Sequence, residues 1–342
     1  MSFKNGFRSI CVIGLIFCSF SVLAEIFKWT DAQGRVHFTD KPPKNNQASV
    51  ALADDRTGRT DNLETEQGRI TLKSVSHGQY HQYVAKNALE KLTVLVVNHG
   101  MFSEKETAVK ASYNTLKLWR KFADEHKLIV IAPVFDNENY AATVKGAGNG
   151  GYRGLYGRKV GADIFLNEII DRYKAVDTSY DGRFYLYGHS AGAQFANRYL
   201  VRHPHRVIAT SFSAPAWFSL PSSEHRWPLG MASRQYTAHW PGESVGQAID
   251  IRPLASTWLA ATQIPVEVVV GELDLEKMRH VEGIGGDTHV DRAKFWVESM
   301  NKFAQDHGRT GLVRLNVVSG VGHNYGKLAR VSQQFFAREF TE

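Results

Sequence analysis

An α/β sandwich built on a mostly parallel sheet is the fold class this sequence predicts, and three observations predict it. From Gly68 to the C-terminus, short β-branched or aromatic runs alternate with amphipathic segments. Leu92-Thr93-Val94-Leu95-Val96-Val97-Asn98 is almost continuously apolar, as a strand buried on both faces must be. Gly188-His189-Ser190-Ala191-Gly192, a G-x-S-x-G sequence, sits where a strand-like run, Arg183 to Tyr187, hands over to a helix-like one.

The elements follow in order. Lys4 and Arg8 precede an uncharged apolar stretch, Ile10 to Leu23, and Val22-Leu23-Ala24 offers small residues for cleavage before Glu25. This pattern predicts a signal peptide over residues 1–24 and export to a bacterial periplasm or medium. The competing reading is a membrane anchor, for which the stretch is short, since a span needs about 20 residues. A lipoprotein fits less well, because Leu15-Ile16-Phe17-Cys18 places bulky Phe17 where a small residue is wanted. Both cysteines, Cys11 and Cys18, lie in this segment, so the mature chain is expected to hold no disulfide, thiol nucleophile or cysteine metal site. The formal charge of +7 loses Lys4 and Arg8 on cleavage. The remaining excess is modest and carries no dense basic block, which argues against nucleic acid as a partner.

Residues 25–43 read as a small hairpin module: Ile26-Phe27-Lys28-Trp29, a turn at Asp31 to Gly34, then Arg35-Val36-His37-Phe38. Phe27, Trp29, Asp31, Gly34, Phe38, Asp40 and Pro42 match an aromatic, Trp-x-Asp-x-x-Gly, aromatic, Asp-x-Pro pattern. On these residues the segment resembles a small N-terminal domain of unassigned function found at the front of many exported bacterial proteins. Polar residues 44–67 read as a linker, and residues 68–342 as the catalytic domain.

Within that domain the pattern predicts a helix from about Glu106 to His126, a strand over Leu128 to Ala132 and a helix presenting Phe165, Leu166, Ile169, Ile170 and Tyr173. Past the serine come a helix over Ala191 to Val201 and strands over Val207 to Ser211, Pro265 to Val270 and Val313 to Val318. Between the last two strands a helix buries Phe295, Trp296, Met300 and Phe303, with Asp291 expected as its N-cap and Gly308 as its stop.

A serine nucleophile needs a base, and the base needs a carboxylate to hold its tautomer. In a parallel sheet these groups belong just past the carboxyl ends of strands. Ser190, Asp274 in Gly271-Glu272-Leu273-Asp274 and His323 in Gly320-Val321-Gly322-His323 all occupy such positions, in the order Ser, Asp, His. Glu272 and Asp287 are alternative carboxylates. His189 is a poor base because neighbouring residues on the turn point apart, so it is expected to line the pocket. His99 is expected to be structural, beside Gly100, in the loop after the valine-rich strand.

On these motifs residues 68–342 resemble an α/β-hydrolase, of the polyhydroxybutyrate-depolymerase and feruloyl-esterase type of secreted esterase. The resemblance implies an α/β-hydrolase fold with Ser190 as nucleophile, His323 as general base and acid, and Asp274 as orienting carboxylate. It also implies an oxyanion hole from the backbone N–H groups of Met101 and Ala191.

Gly146 to Gly151 matches G-x-G-x-x-G, but it does not directly follow a strand, so it reads as a loop near the pocket, with Tyr152 and Tyr156 as wall residues. No metal motif stands out, and neither a metal nor a cofactor is expected. Residues 217–250 lack a clean period and hold Trp217, Phe218, Trp227, Tyr236 and Trp240, which predicts an aromatic lid. With His99, Gly100 and His189, the residues Trp217, Trp227 and Trp240 form the expected substrate pocket; the alternative is that the lid rings simply pack the insertion onto the body.

The reading is an exported serine hydrolase that cleaves a small or polymeric carboxylic ester through an acyl-enzyme, with no membrane span after signal cleavage. A serine peptidase or acyltransferase would use the same machinery. A non-catalytic envelope-binding protein, anchored through the N-terminal module, is the alternative from another class.

Overall fold

The computed structural model describes residues 27–30, 36–39, 63, 65–103, 105–141, 151–238 and 247–341. The expected signal peptide, the hairpin turn at 31–34, most of the expected linker, Gly146 to Gly150 and Trp240 lie outside the described residues. The chain divides into two units, Met1–Thr57 and Gly58–Glu342. In the first, β1 (Phe27–Thr30) pairs antiparallel with β2 (Val36–Thr39), placing Trp29 opposite His37.

The second unit is ordered around an eight-stranded sheet. Its strands are β3 (Ile70–Val75), β4 (Gly78–Val84), β5 (Val94–Asn98), β6 (Ile129–Pro133), β7 (Phe184–His189), β8 (Val207–Ser213), β11 (Val266–Gly271) and β12 (Val313–Val318). Across the sheet they run β12-β11-β8-β7-β5-β6-β4-β3. The six from β6 to β12 pair in parallel, while β3 and β4 are antiparallel at one edge. The central strands β5, β6, β7 and β11 are buried along their whole length, as their mostly apolar runs require.

Alternation along β7 divides its aromatics between two helical layers. Tyr185 and Tyr187 face one way, meeting Phe336, Phe340 and Trp119 at ring separations of 4.6 to 6.0 Å. That layer holds α1 (Ala108–Lys117), α2 (Arg120–His126) and α8 (Tyr325–Glu339). Phe184 faces the other way, onto Tyr199. On that side lie α4 (Ala162–Val176) and α5 (Ala191–Arg202), joined through Phe135, which meets both Phe165 and Phe195. There too α7 (His289–Asp306) packs Trp296 against Phe212 and Phe218. Two shorter helices, α3 (Asn137–Tyr140) and α6 (Ala255–Ala261), complete the unit.

Three local expectations change. The single helix over 106–126 is two helices, α1 and α2, because Trp119 between them turns into the core and is fully buried. The N-cap of α7 is Thr288: its Oγ1 accepts the Asp291 N–H at 3.2 Å and donates to the Asp291 carboxylate at 2.7 Å, so Asp291 sits three residues inside the cap. Gly308 follows the helix end at φ +68°, a left-handed position suited to glycine. The expected lid contains an antiparallel hairpin, β9 (Arg234–Ala238) with β10 (Gln247–Ile251). Its two strands form a sheet apart from the main one and, among the described residues, touch the body at few points, including buried Ile251 and the Arg234 bond to the Trp227 carbonyl, so the one-sided core period is weak.

Candidate active site

The turn after β7 follows from close backbone contact. A Cβ on Gly188 would lie 2.1 Å from the Gly192 carbonyl oxygen, and one on Gly192 would lie 2.3 Å from the Asn98 oxygen and 2.6 Å from the His99 oxygen. Neither position has room for a side chain. Between them Ser190 is held at φ 53°, ψ −115°, a conformation L-residues avoid. Its N–H donates to the Ser213 carbonyl at 2.8 Å, and its carbonyl accepts from Gln194 at 3.1 Å at the start of α5. Gly100 lies against this turn: a Cβ there would sit 3.4 Å from the His189 oxygen and 3.5 Å from the Ser190 Cβ. The loop carrying Met101 and the turn carrying Ser190 and Ala191 are therefore neighbours. We expect Gly192→Ala to displace the Asn98–Met101 loop and lower stability by ~1–3 kcal/mol, read by denaturant unfolding; an unchanged midpoint would contradict this packing.

Asp274 and His323 come together from the ends of β11 and β12. The His323 Nδ1–H donates to Asp274 Oδ2 at 2.7 Å, which puts the lone pair on Nε2. Asp274 is 3% exposed, whereas the His323 side chain is 38% exposed. Burial pushes the Asp274 carboxyl up, but the His323 hydrogen bond, with the other imidazoles around it, outweighs burial and holds the group below its ordinary value.

The two alternative carboxylates are engaged elsewhere. Glu272 accepts the Gly320 N–H at 2.9 Å and the Ser319 hydroxyl at 2.8 Å. Together with the Glu272 N–H to Val318 and Leu273 N–H to Val321 bonds, it fastens the loop bearing Asp274 to the loop bearing His323. Asp287 meets His280 at 2.8 Å.

His189 lies under this pair. Its ring is 4.9 Å from that of His323 and 4.8 Å from that of Tyr325, and its Nδ1 meets Ser213 Oγ at 2.8 Å; that hydroxyl is also 2.8 Å from the Tyr187 hydroxyl. Burial drives the His189 ring down to about 3, with His323 adding to the fall. It is a neutral support for His323. His99 is structural: its Nε2 accepts the Phe135 N–H at 3.2 Å and its Nδ1–H donates to the Gly100 carbonyl at 2.8 Å, while burial takes it to about 4.

Several expected pocket residues belong to the core instead. Trp227 is fully buried, its indole N–H donating to the Gly154 carbonyl at 3.0 Å, and its ring crosses that of Trp258 edge-on. Phe218 stacks on Trp296. Tyr152 and Tyr156 are buried as well, and Tyr152 donates its hydroxyl to the His99 carbonyl. Rings of this size release more free energy packed against the body than lining a wet cleft. Trp217 is half-buried, with the Arg292 guanidinium 3.8 Å from its ring centre.

Sequence reasoning missed Arg292 and His289. Arg292, on α7, donates to the carbonyls of Ala216, Arg279 and Gly286 at 2.7 to 3.1 Å and so holds the long segment after Asp274 against the body. Its one sequence signal is a charge placed near Trp296 on a buried helix face. His289 is buried, with its Nδ1 3.2 Å from Asp274 Oδ1 and its ring 5.0 Å from that of His323. Among the described residues, Asp274, His289 and His323 form a group whose ligand atoms lie within 4.8 Å of one another, close enough for one metal ion. Two of those atoms, His323 Nδ1 and Asp274 Oδ2, are already hydrogen-bonded to each other.

Comparison with known proteins bears on the fold. Over 78% of this chain and 96% of the other, the structure superposes on poly(aspartic acid) hydrolase-1 from Sphingomonas sp. KT-1, with a TM-score of 0.58 and 18% identity. Over 75% and 83%, it superposes on LpqC, a poly(3-hydroxybutyrate) depolymerase from Bordetella parapertussis, with a TM-score of 0.55 and 22% identity. The fold is that of an α/β-hydrolase. Residues 14–61 match the family model of a domain of unknown function, DUF4124, which spans the expected N-terminal module. No curated protein matches the chain. Among the described residues, no helix is long and apolar enough to cross a membrane.

Two of the buried imidazoles, His99 and His189, give the site a pH signature. His99 and His189 stay neutral in the fold, whereas the unfolded chain protonates both near pH 6.5. Stability is therefore full above that value and falls as the pH drops, by up to ~1.4 kcal/mol per pH unit for each ring. Asp274, held below its ordinary value, adds a loss at still lower pH as it protonates. Urea unfolding between pH 7 and pH 5 should show the midpoint declining steadily; a flat profile would contradict two neutral buried rings.

Proposed function

We propose that this chain is an exported serine hydrolase that cleaves carboxylic esters through an acyl-enzyme. The observation that carries the reading is the Asp274–His323 hydrogen bond, with the His323 ring packed on His189, the residue before a serine held at positive φ. In this mechanism His323 Nε2 takes the Ser190 proton as Oγ attacks the ester carbonyl. The backbone N–H groups of Met101 and Ala191 receive the developing oxyanion; each such donor is worth ~10²–10³ in rate. The imidazolium, stabilised by Asp274, protonates the leaving alcohol. Water then gives a proton to His323 as it attacks the acyl-serine; His323 passes that proton to Ser190 Oγ as the C–Oγ bond breaks, which releases the acid and returns the enzyme.

The exposed edge of His323 and the 57% exposed Met101 side chain suit a substrate that meets the site at the protein surface. The test pairs an ester with the amide of the same acyl group. Ester turnover well above amide turnover supports the proposal, and faster amide turnover replaces it with a peptidase or amidase. Export rests on the N-terminal sequence pattern, and cleavage before Glu25 would leave residues 25–61 of the matched stretch at the mature N-terminus.

A further inference from the structure

We infer that His289 is a positioning residue for Asp274, a second imidazole that holds the carboxylate oxygen His323 does not use. Asp274 is almost wholly buried, and a buried carboxylate with one oxygen unpaired is costly and free to rotate. His323 engages Oδ2; His289 Nδ1 approaches Oδ1 at 3.2 Å. The approach is oblique and falls short of hydrogen-bond geometry, so that nitrogen is buried without a hydrogen-bond partner, and Asp274 Oδ1 is the acceptor within reach; His289 is only 5% exposed. A proton on His289 Nδ1 therefore has one acceptor to aim at.

The backbone explains why the ring is there. His289 is the first residue of α7, directly after the Thr288 cap, and Arg292 one turn later anchors the preceding segment through its three carbonyl contacts. The start of α7 is thus fixed against the loop that carries Asp274. The His289 ring also packs on His323 from one side, at 5.0 Å, as His189 does from another, at 4.9 Å. The carboxylate is oriented by two imidazoles, and the base by two flanking rings. Burial lowers the His289 proton affinity, so the ring serves as a neutral donor and leaves the cationic form to His323 during turnover. This differs from a general structural role, because the consequence falls on the Asp274–His323 bond.

The catalytic consequence rests on the function proposed above, and the test separates the two. His289→Gln, which keeps an N–H donor at similar reach, and His289→Phe, which keeps a planar ring without one, are made in the full chain. Unfolding midpoints are followed in parallel, and Met replaces Phe if that variant does not fold. We expect the donor-free variant to lose kcat by up to ~10²-fold on a short-chain nitrophenyl ester, with KM within about twofold of wild type, and Gln to restore most of the loss. The low-field proton resonance of the His323–Asp274 hydrogen bond should be present in wild type and the Gln variant and lost or shifted in the donor-free one. A folded donor-free variant with wild-type kcat and an unmoved resonance overturns the inference, as does a Gln variant no better than Phe. If wild type turns over no ester, the function proposed above fails, while the resonance still decides the role of His289.

Discussion

Replacing Ser190 by alanine is expected to lower ester turnover by ~10⁶-fold and to abolish labelling by a fluorophosphonate probe. The reason is local. Asp274, His323 and the loop behind Met101 are held by contacts that do not involve the serine hydroxyl, such as the Glu272 clamp and the packing of His323 on His189. Removing Oγ leaves the rest standing and removes only the atom that, in the proposed mechanism, forms the acyl bond. Ser190→Gly separates this chemistry from the backbone. At φ 53°, ψ −115° the position is the mirror image of an extended conformation, which glycine adopts readily and alanine does not. Glycine should therefore be equally inactive but more stable than alanine by ~1–3 kcal/mol. Equal unfolding midpoints for the two variants would mean that the turn is not strained. Persistent labelling in both would mean that another residue reacts.

Asp274→Asn is expected to lower kcat by ~10⁴-fold while the chain stays folded. An asparagine in the same place can offer its N–H to His323 Nδ1, which draws the imidazole proton to Nε2, the nitrogen that must be free to receive the serine proton. The carboxylate that stabilises the imidazolium is lost as well. Glu272 provides the internal contrast. It lies two residues away and is bound to Gly320 and Ser319, so Glu272→Gln should loosen the loop pair and cost less than ~10-fold in kcat. Steady-state kinetics of the two variants side by side decide between the carboxylates: a larger loss at Glu272 than at Asp274 would reverse the assignment.

Much of this was legible in the chain. The strands of the sheet centre announce themselves because burial on both faces leaves few polar positions, Asn98 in Val94 to Asn98 and Glu267 in Val266 to Gly271 being single polar residues in valine-rich runs. Gly188 and Gly192 are legible because a Cβ at either would fall 2.1 to 2.3 Å from a backbone oxygen, which excludes every other residue type. Other features were out of reach. The break at Trp119 comes from a ring finding the core, which overrides a helix period that continues through it. At the antiparallel edge β3 is only partly buried, and β4, though mostly buried, carries Gln79, His81 and Gln82, so neither shows an apolar run in the sequence.

The division between the two sources of information has a physical basis. Period, turn chemistry and the order of Ser190, Asp274 and His323 along the chain are properties of neighbouring residues, and such properties are written in the linear pattern. Choosing among Glu272, Asp274 and Asp287 is not, because all three are acids in loops after strands and differ only in what reaches them from distant segments: Gly320 for the first, His323 for the second, His280 for the third. The fates of the lid aromatics follow the same rule, since Trp227 and Trp217 part company over a partner each meets in space, Trp258 for one and Arg292 for the other. His289 and Arg292 became visible only when α7 was set against the acid loop. Burial, and the partners that make burial tolerable for a charge, are decided by packing between residues far apart in the chain.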